Sequence, residues 1–171
     1  MNLVLIGYRG AGKSTVGEIL ARRLGWPLKC LDAMIISKAG MSIPALVEKF
    51  GWDYFRDQES AVAREVTAGD QQVLDCGGGI ILRPENRKAL KKSGQVVWLT
   101  AQVETIAGRL ADKTDRPSLT GKSFIDEIAA VLAEREALYR EAADVVIATD
   151  HKSSEHIAGE VLAAVDLHPG P

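Results

Sequence analysis

The sequence predicts an α/β protein, a three-layer α/β/α sandwich on a five-stranded parallel sheet. Three observations predict it. Short apolar runs recur at 2–6, 28–31, 72–76, 96–100 and 144–148. Several carry β-branched residues, as strands do. Amphipathic stretches separate these runs, and strands alternating with helices build a parallel sheet covered on both faces. The 171 residues, 46% of them hydrophobic, suit one domain spanning 1–171 with a sizeable core.

The elements follow in order. After the strand at 2–6, Val16, Ile19, Leu20 and Leu24 share one face of a helix that Gly25 and Pro27 stop. After the strand at 28–31, Ser42 and Pro44 open a short helix that Gly51 ends. The strand at 72–76 is followed by a helix from Pro84 to Ser93, with Gly94 behind it. After the strand at 96–100, Ser123 and Asp126 form a capping box for a long helix through Arg140. The last strand, 144–148, leads to a helix at 154–165 and a frayed tail at 167–171. Ligands of such sheets bind at the carboxyl ends of the strands. One rim therefore gathers Gly7 to Ser14, Asp32, Gly77 to Gly79 and the segment after Thr100.

A net charge of −2 argues against a general nucleic-acid surface. No apolar run approaches the roughly 20 residues that span a bilayer. A chain that begins on a strand has no room for a signal peptide, so a cytoplasmic protein is expected. Cys30 and Cys76, the two cysteines, read as buried thiols rather than a disulfide or a zinc site. With no obvious exposed apolar stripe, a monomer is expected.

The chemistry begins at residues 7–15, Gly-Tyr-Arg-Gly-Ala-Gly-Lys-Ser-Thr, between the first strand and the first helix. This is the setting of a phosphate-binding P-loop, whose glycines turn backbone N–H groups inward onto phosphate oxygens. Lys13 supplies charge for the β- and γ-phosphates, Ser14 a hydroxyl ligand for Mg²⁺. The helix dipole points at the same phosphates. Asp32, at the end of the second strand, suits Mg²⁺ or its water shell, and equally the N-cap of the next helix. Asp75 stands where a metal-side carboxylate would end the third strand, but the glycines after it leave its aim open. Three consecutive glycines, Gly77, Gly78 and Gly79, suit either a close ligand or a tight turn. Arg56, after the aromatic residues Trp52, Tyr54 and Phe55, and Arg140, after Leu138 and Tyr139, are solvated helix arginines or a fork for one carboxylate. Arg116 lies in a turn-rich polar stretch at 112–122, which reads as a mobile lid that closes on the γ-phosphate.

These segments in this order resemble the shikimate kinases, small P-loop kinases akin to the nucleoside monophosphate kinases. The resemblance runs from about Leu3 to Ala164 and is carried by Gly10-Ala-Gly-Lys-Ser-Thr15, Leu31-Asp32, Phe55-Arg56, Gly77-Gly-Gly79, Arg116-Pro117 and Leu138-Tyr-Arg140. It implies a P-loop kinase fold that moves the γ-phosphate of ATP to the 3-hydroxyl of shikimate, a step towards aromatic amino acids. By the same resemblance Gly10, Ala11, Gly12, Lys13, Ser14, Thr15, Arg109 and Arg116 bind ATP. Arg109 lies against the adenine, with 149–154 as the rest of its wall. Ser14 and Asp32 serve Mg²⁺; Lys13, Arg116 and Asp32 are the catalytic residues. Arg56, Gly77, Gly78, Gly79 and Arg140 bind shikimate, the two arginines through its carboxylate.

One position departs from the family pattern. An Asp-x-Asp pair follows the second strand in the family, its second aspartate on the shikimate hydroxyls; here the residues are Asp32-Ala33-Met34. A thioether is a weak acceptor and no base. The alternatives are a related small-molecule kinase with another acceptor, or a non-catalytic ATP-binding paralogue.

Overall fold

The computed structural model describes residues 1–111 and 123–167. The expected lid at 112–122, Arg116 within it, and the expected tail beyond Leu167 lie outside the described residues.

Five parallel strands form one sheet in the order β2-β3-β1-β4-β5. They are β1 (Asn2–Ile6), β2 (Leu28–Cys30), β3 (Val73–Asp75), β4 (Gly94–Thr100) and β5 (Val145–Ala148). β1 is central and fully buried, so its side chains alternate between two cores. Leu3 and Leu5 face a layer made by α1 (Lys13–Leu24) and α8 (Ser154–Ala164), through Val16, Leu20, Ile157 and Val161. Val4 and Ile6 face the opposite layer with Leu31, Phe55, Leu74, Trp98 and Tyr139. That layer is built from α2 (Leu31–Ala39), α3 (Ile43–Phe50), α4 (Trp52–Thr67), α5 (Pro84–Ser93) and α7 (Phe124–Ala142). A third cluster, Tyr8, Ile106, Leu110, Ile128 and Val131, ties α6 (Val103–Leu110) and α7 to the P-loop.

The expected three layers and parallel strands are present, with shifts at the ends. The third strand stops at Asp75, one residue early, because Cys76 and the glycines turn the chain. The second stops at Cys30, and α2 starts at once. Asp32 therefore lies in the first turn of α2, and Cys30, in extended conformation, takes the N-cap place. The structure corrects both sequence readings of Asp32, as a strand end and as a cap.

Candidate active site

The P-loop leaves β1 through Gly7 and reaches α1 with left-handed backbone at Gly10 (φ 81°) and Gly12 (φ 95°). A side chain at Gly7 would meet the Leu99 carbonyl oxygen at 2.5 Å, so the loop must pass against β4. Ala11 is buried, while Ser14 and Thr15 are exposed at the mouth. The Lys13 ammonium, buried in the loop, donates to the Gly7 and Tyr8 carbonyls at 2.8 and 3.0 Å. The Ser14 hydroxyl donates to Asp75 Oδ2 at 2.6 Å. Asp75, left open by the sequence, thus stands at the P-loop. Register pairs it with Cys30 across β2 and β3.

These groups open into a cavity of about 150 Å³ lined by Arg9, Lys13, Ser14, Cys30, Asp32 and Asp75 among others. Hydroxyl and carboxylate oxygens are the donors Mg²⁺ takes. The Ser14–Asp75 pair beside Asp32 fits it. Among the described residues no cluster of three or more His, Cys, Asp or Glu could hold a metal unaided. Cys30 is half-buried on this cavity rather than sunk in the core, and burial, with the charges of Asp75 and Asp32, pushes its thiol up.

Arg109 of α6 ties the nucleotide side together. It donates to the Gly10 carbonyl at 2.9 Å and to the Thr149 hydroxyl at 3.2 Å. Thr149 in turn donates to the Thr100 carbonyl at 2.9 Å. The loop after β5 is thereby anchored to the P-loop, where the adenine wall is expected.

The glycine triplet forms the other side. A Cβ on Gly77 would meet Asp32 Oδ1 at 2.9 Å and Glu59 Oε2 at 3.0 Å. On Gly79 it would strike the Arg56 guanidinium at 2.1 Å. Glycine is therefore required for side chains to close over the backbone, which the plain-turn reading does not explain. Arg56 is buried, pairs with Glu59 at 2.9 Å and lies over the Trp52 and Phe55 rings.

Two sequence readings are corrected here. First, Arg140 is not brought to Arg56. Its side chain is 65% exposed, pairs with Glu136 and lies over Trp98. The buried stripe of α7 runs through Ile128, Val131, Arg135, Tyr139 and Ala142, at helical spacing. Arg135 is the arginine that reaches the triplet: its Nη1 lies 3.5 Å from where a Cβ on Gly78 would stand. Second, Met34 does not face the cavity but packs against the core. With α2 starting at Leu31, residues two apart lie about 200° apart around the axis, so 32 and 34 cannot share a face. The positions that line the cavity are 30 and 32. A cysteine, Cys30, holds the first of these places, and the second, Asp32, brings a carboxylate beside Gly77.

Arg9, Glu59, Arg135 and Tyr139 are site-proximal residues to which the sequence reading gave no role. Arg135 and Tyr139 carried a signal, a polar pair on an otherwise apolar helical stripe.

Comparison with known proteins agrees with this geometry. The shikimate kinase family model matches residues 9–166. The chain belongs to the shikimate kinase family. It is 49% identical over 149 residues to the shikimate kinase of Nitratidesulfovibrio vulgaris, covering 85% of each chain. It is 43% identical over 162 residues to that of Pseudomonas syringae pv. syringae, covering 95% of this chain and 94% of the relative. Among solved structures, Acinetobacter baumannii shikimate kinase in complex with shikimate superposes with a TM-score of 0.91 at 37% identity, covering 94% of this chain and 90% of that one. A gluconokinase from Sinorhizobium meliloti, at TM-score 0.56 and 18% identity, shares the fold alone. The chain is thus an ATP-dependent phosphotransferase with a P-loop kinase fold. Among the described residues no helix is long and apolar enough to cross a membrane.

Proposed function

We propose that this chain transfers the γ-phosphoryl group of ATP to the 3-hydroxyl of shikimate. One observation carries the reading: Lys13, Ser14 and Asp75 share a cavity with Asp32 and Gly77, and two buried arginines, Arg56 and Arg135, approach the adjoining glycines.

The loop N–H groups and Lys13 hold the β- and γ-phosphates. Ser14 and Asp75, with Asp32 nearby, would hold Mg²⁺. That ion, when bound, offsets phosphate charge. Arg56 and Arg135 hold the acceptor's carboxylate as a paired fork. Asp32 accepts the hydroxyl proton as the O3–P bond forms and the bond to the bridging oxygen breaks, releasing ADP. Arg116, by family resemblance, steadies the transferring group. Phosphoryl transfer asks mainly for positioning and charge stabilisation, so two anchored ends matter more than a strong base. Arg140 is left outside the acceptor set. Membership of a biosynthetic kinase family supports a cytoplasmic enzyme, and we take the single chain as the working unit, which gel filtration checks.

An ADP-release assay with ATP, Mg²⁺ and a panel of acceptors tests the reading. Shikimate-dependent turnover supports it. Turnover only with another polyol acid or a nucleoside monophosphate, or none at all, overturns it.

A further inference from the structure

The Gly78 carbonyl accepts a hydrogen bond from the Tyr139 hydroxyl at 2.5 Å. Tyr139 is fully buried, with its ring stacked on Trp98 at 5.4 Å and 21°. The Arg135 guanidinium stands beside the same glycine, and its charge acts on the phenol. The one O–H donor of Tyr139 is thus spent on the Gly78 carbonyl. The peptide joining Gly78 to Gly79 is planar, so its C=O and N–H point in opposite directions. A carbonyl held at Tyr139 turns the Gly79 N–H the other way. Arg56 lies over Gly79.

We propose that Tyr139 is a positioning residue for the phosphoryl acceptor: its hydroxyl fixes the Gly78–Gly79 peptide beside the Arg135 guanidinium, so that both meet the acceptor's anionic end. The proposal rests on the reading that Arg135 and the triplet meet that end. A bare triplet has wide backbone freedom. One buried oxygen restrains it. Burial pushes the phenol up to about 12, so it stays a donor throughout the working pH range.

The test is Tyr139→Phe, which keeps the ring and its stack and removes one oxygen. Trp98→Phe, which loosens the stack and keeps the hydroxyl, is the control. Kinetics are measured with shikimate and ATP varied separately, alongside thermal melts. Tyr139→Phe is expected to raise the shikimate KM about five- to fiftyfold, the effect of orphaning a buried carbonyl. Its ATP KM stays within about twofold of wild type. Trp98→Phe lowers Tm and leaves the shikimate KM unchanged. In the double variant with Arg135→Lys the losses are less than additive, because both residues meet at Gly78. Unchanged shikimate KM in Tyr139→Phe, with a wild type that uses shikimate, overturns the proposal. So does a proportional rise in both KM values, or an equal rise in Trp98→Phe. A wild type with no use for shikimate overturns the functional reading and this proposal with it.

Discussion

Replacing Arg135 by lysine and, separately, Arg140 by alanine separates the arginine that α7 buries from the one it exposes. Arg135 is 7% exposed and reaches the glycine triplet. Lysine keeps the charge but loses the planar fork. A lost hydrogen bond to a charged group costs about 1.5–3 kcal/mol, or roughly 10- to 150-fold in kcat/KM for shikimate. The Arg140 side chain is 65% exposed and pairs one turn along its own helix, with Glu136. Such a pair contributes about 0.3–0.5 kcal/mol. Its place over Trp98 adds about 0.5–1 kcal/mol. Arg140→Ala should therefore lower Tm by about 2–4 °C. Its shikimate kinetics stay within about twofold of wild type. The assay couples ADP release at saturating ATP, with melts to show that both variants are folded. Normal shikimate kinetics in folded Arg135→Lys, with a large loss in Arg140→Ala, would refute the reasoning.

Three further substitutions probe the rest of the site. Met34→Asp puts a carboxylate against the core face of α2, so Tm falls and kcat/KM does not rise; a gain in kcat/KM would show that position 34 reaches the acceptor. Cys30→Asp places a second carboxylate next to Asp75 and should lower the Mg²⁺ concentration for half-maximal activity and tighten Mg²⁺-dependent ADP binding by calorimetry. No change in either would remove position 30 from the metal's surroundings. Gly79→Ala forces a methyl into the Arg56 guanidinium and should raise the shikimate KM by at least about tenfold with the ATP KM near normal; an unaltered shikimate KM would show that Arg56 does not act from that place.

The nucleotide half of the site was legible because its signal is contiguous. Glycines, lysine and serine sit in nine successive residues, and the strand before and helix after them are strongly patterned. The strands were legible for the same reason, but α2 and α6 were not read, and the capping box expected at the start of α7 does not form: the Ser123 hydroxyl donates to Asp126 Oδ2 at 2.7 Å instead of accepting from the backbone. The acceptor half was less so, because it depends on where helices begin and which face they bury. A start at Leu31 rather than beyond Asp32 rotates Met34 out of the site. Five residues separate Arg135 from Arg140, about 1.4 turns, enough to exchange the interior for solvent. Glu59 escaped notice because a helical glutamate three residues after an arginine is ordinarily a surface pair; here both partners are buried.

Two-dimensional ¹H–³¹P correlation of the product made from ATP, Mg²⁺ and shikimate tests the central claim most directly. A phosphorus resonance coupled to the proton on carbon 3 is predicted, growing with ADP. Phosphorus coupled to another carbinol proton, or ATP left intact beside a folded protein, would contradict it.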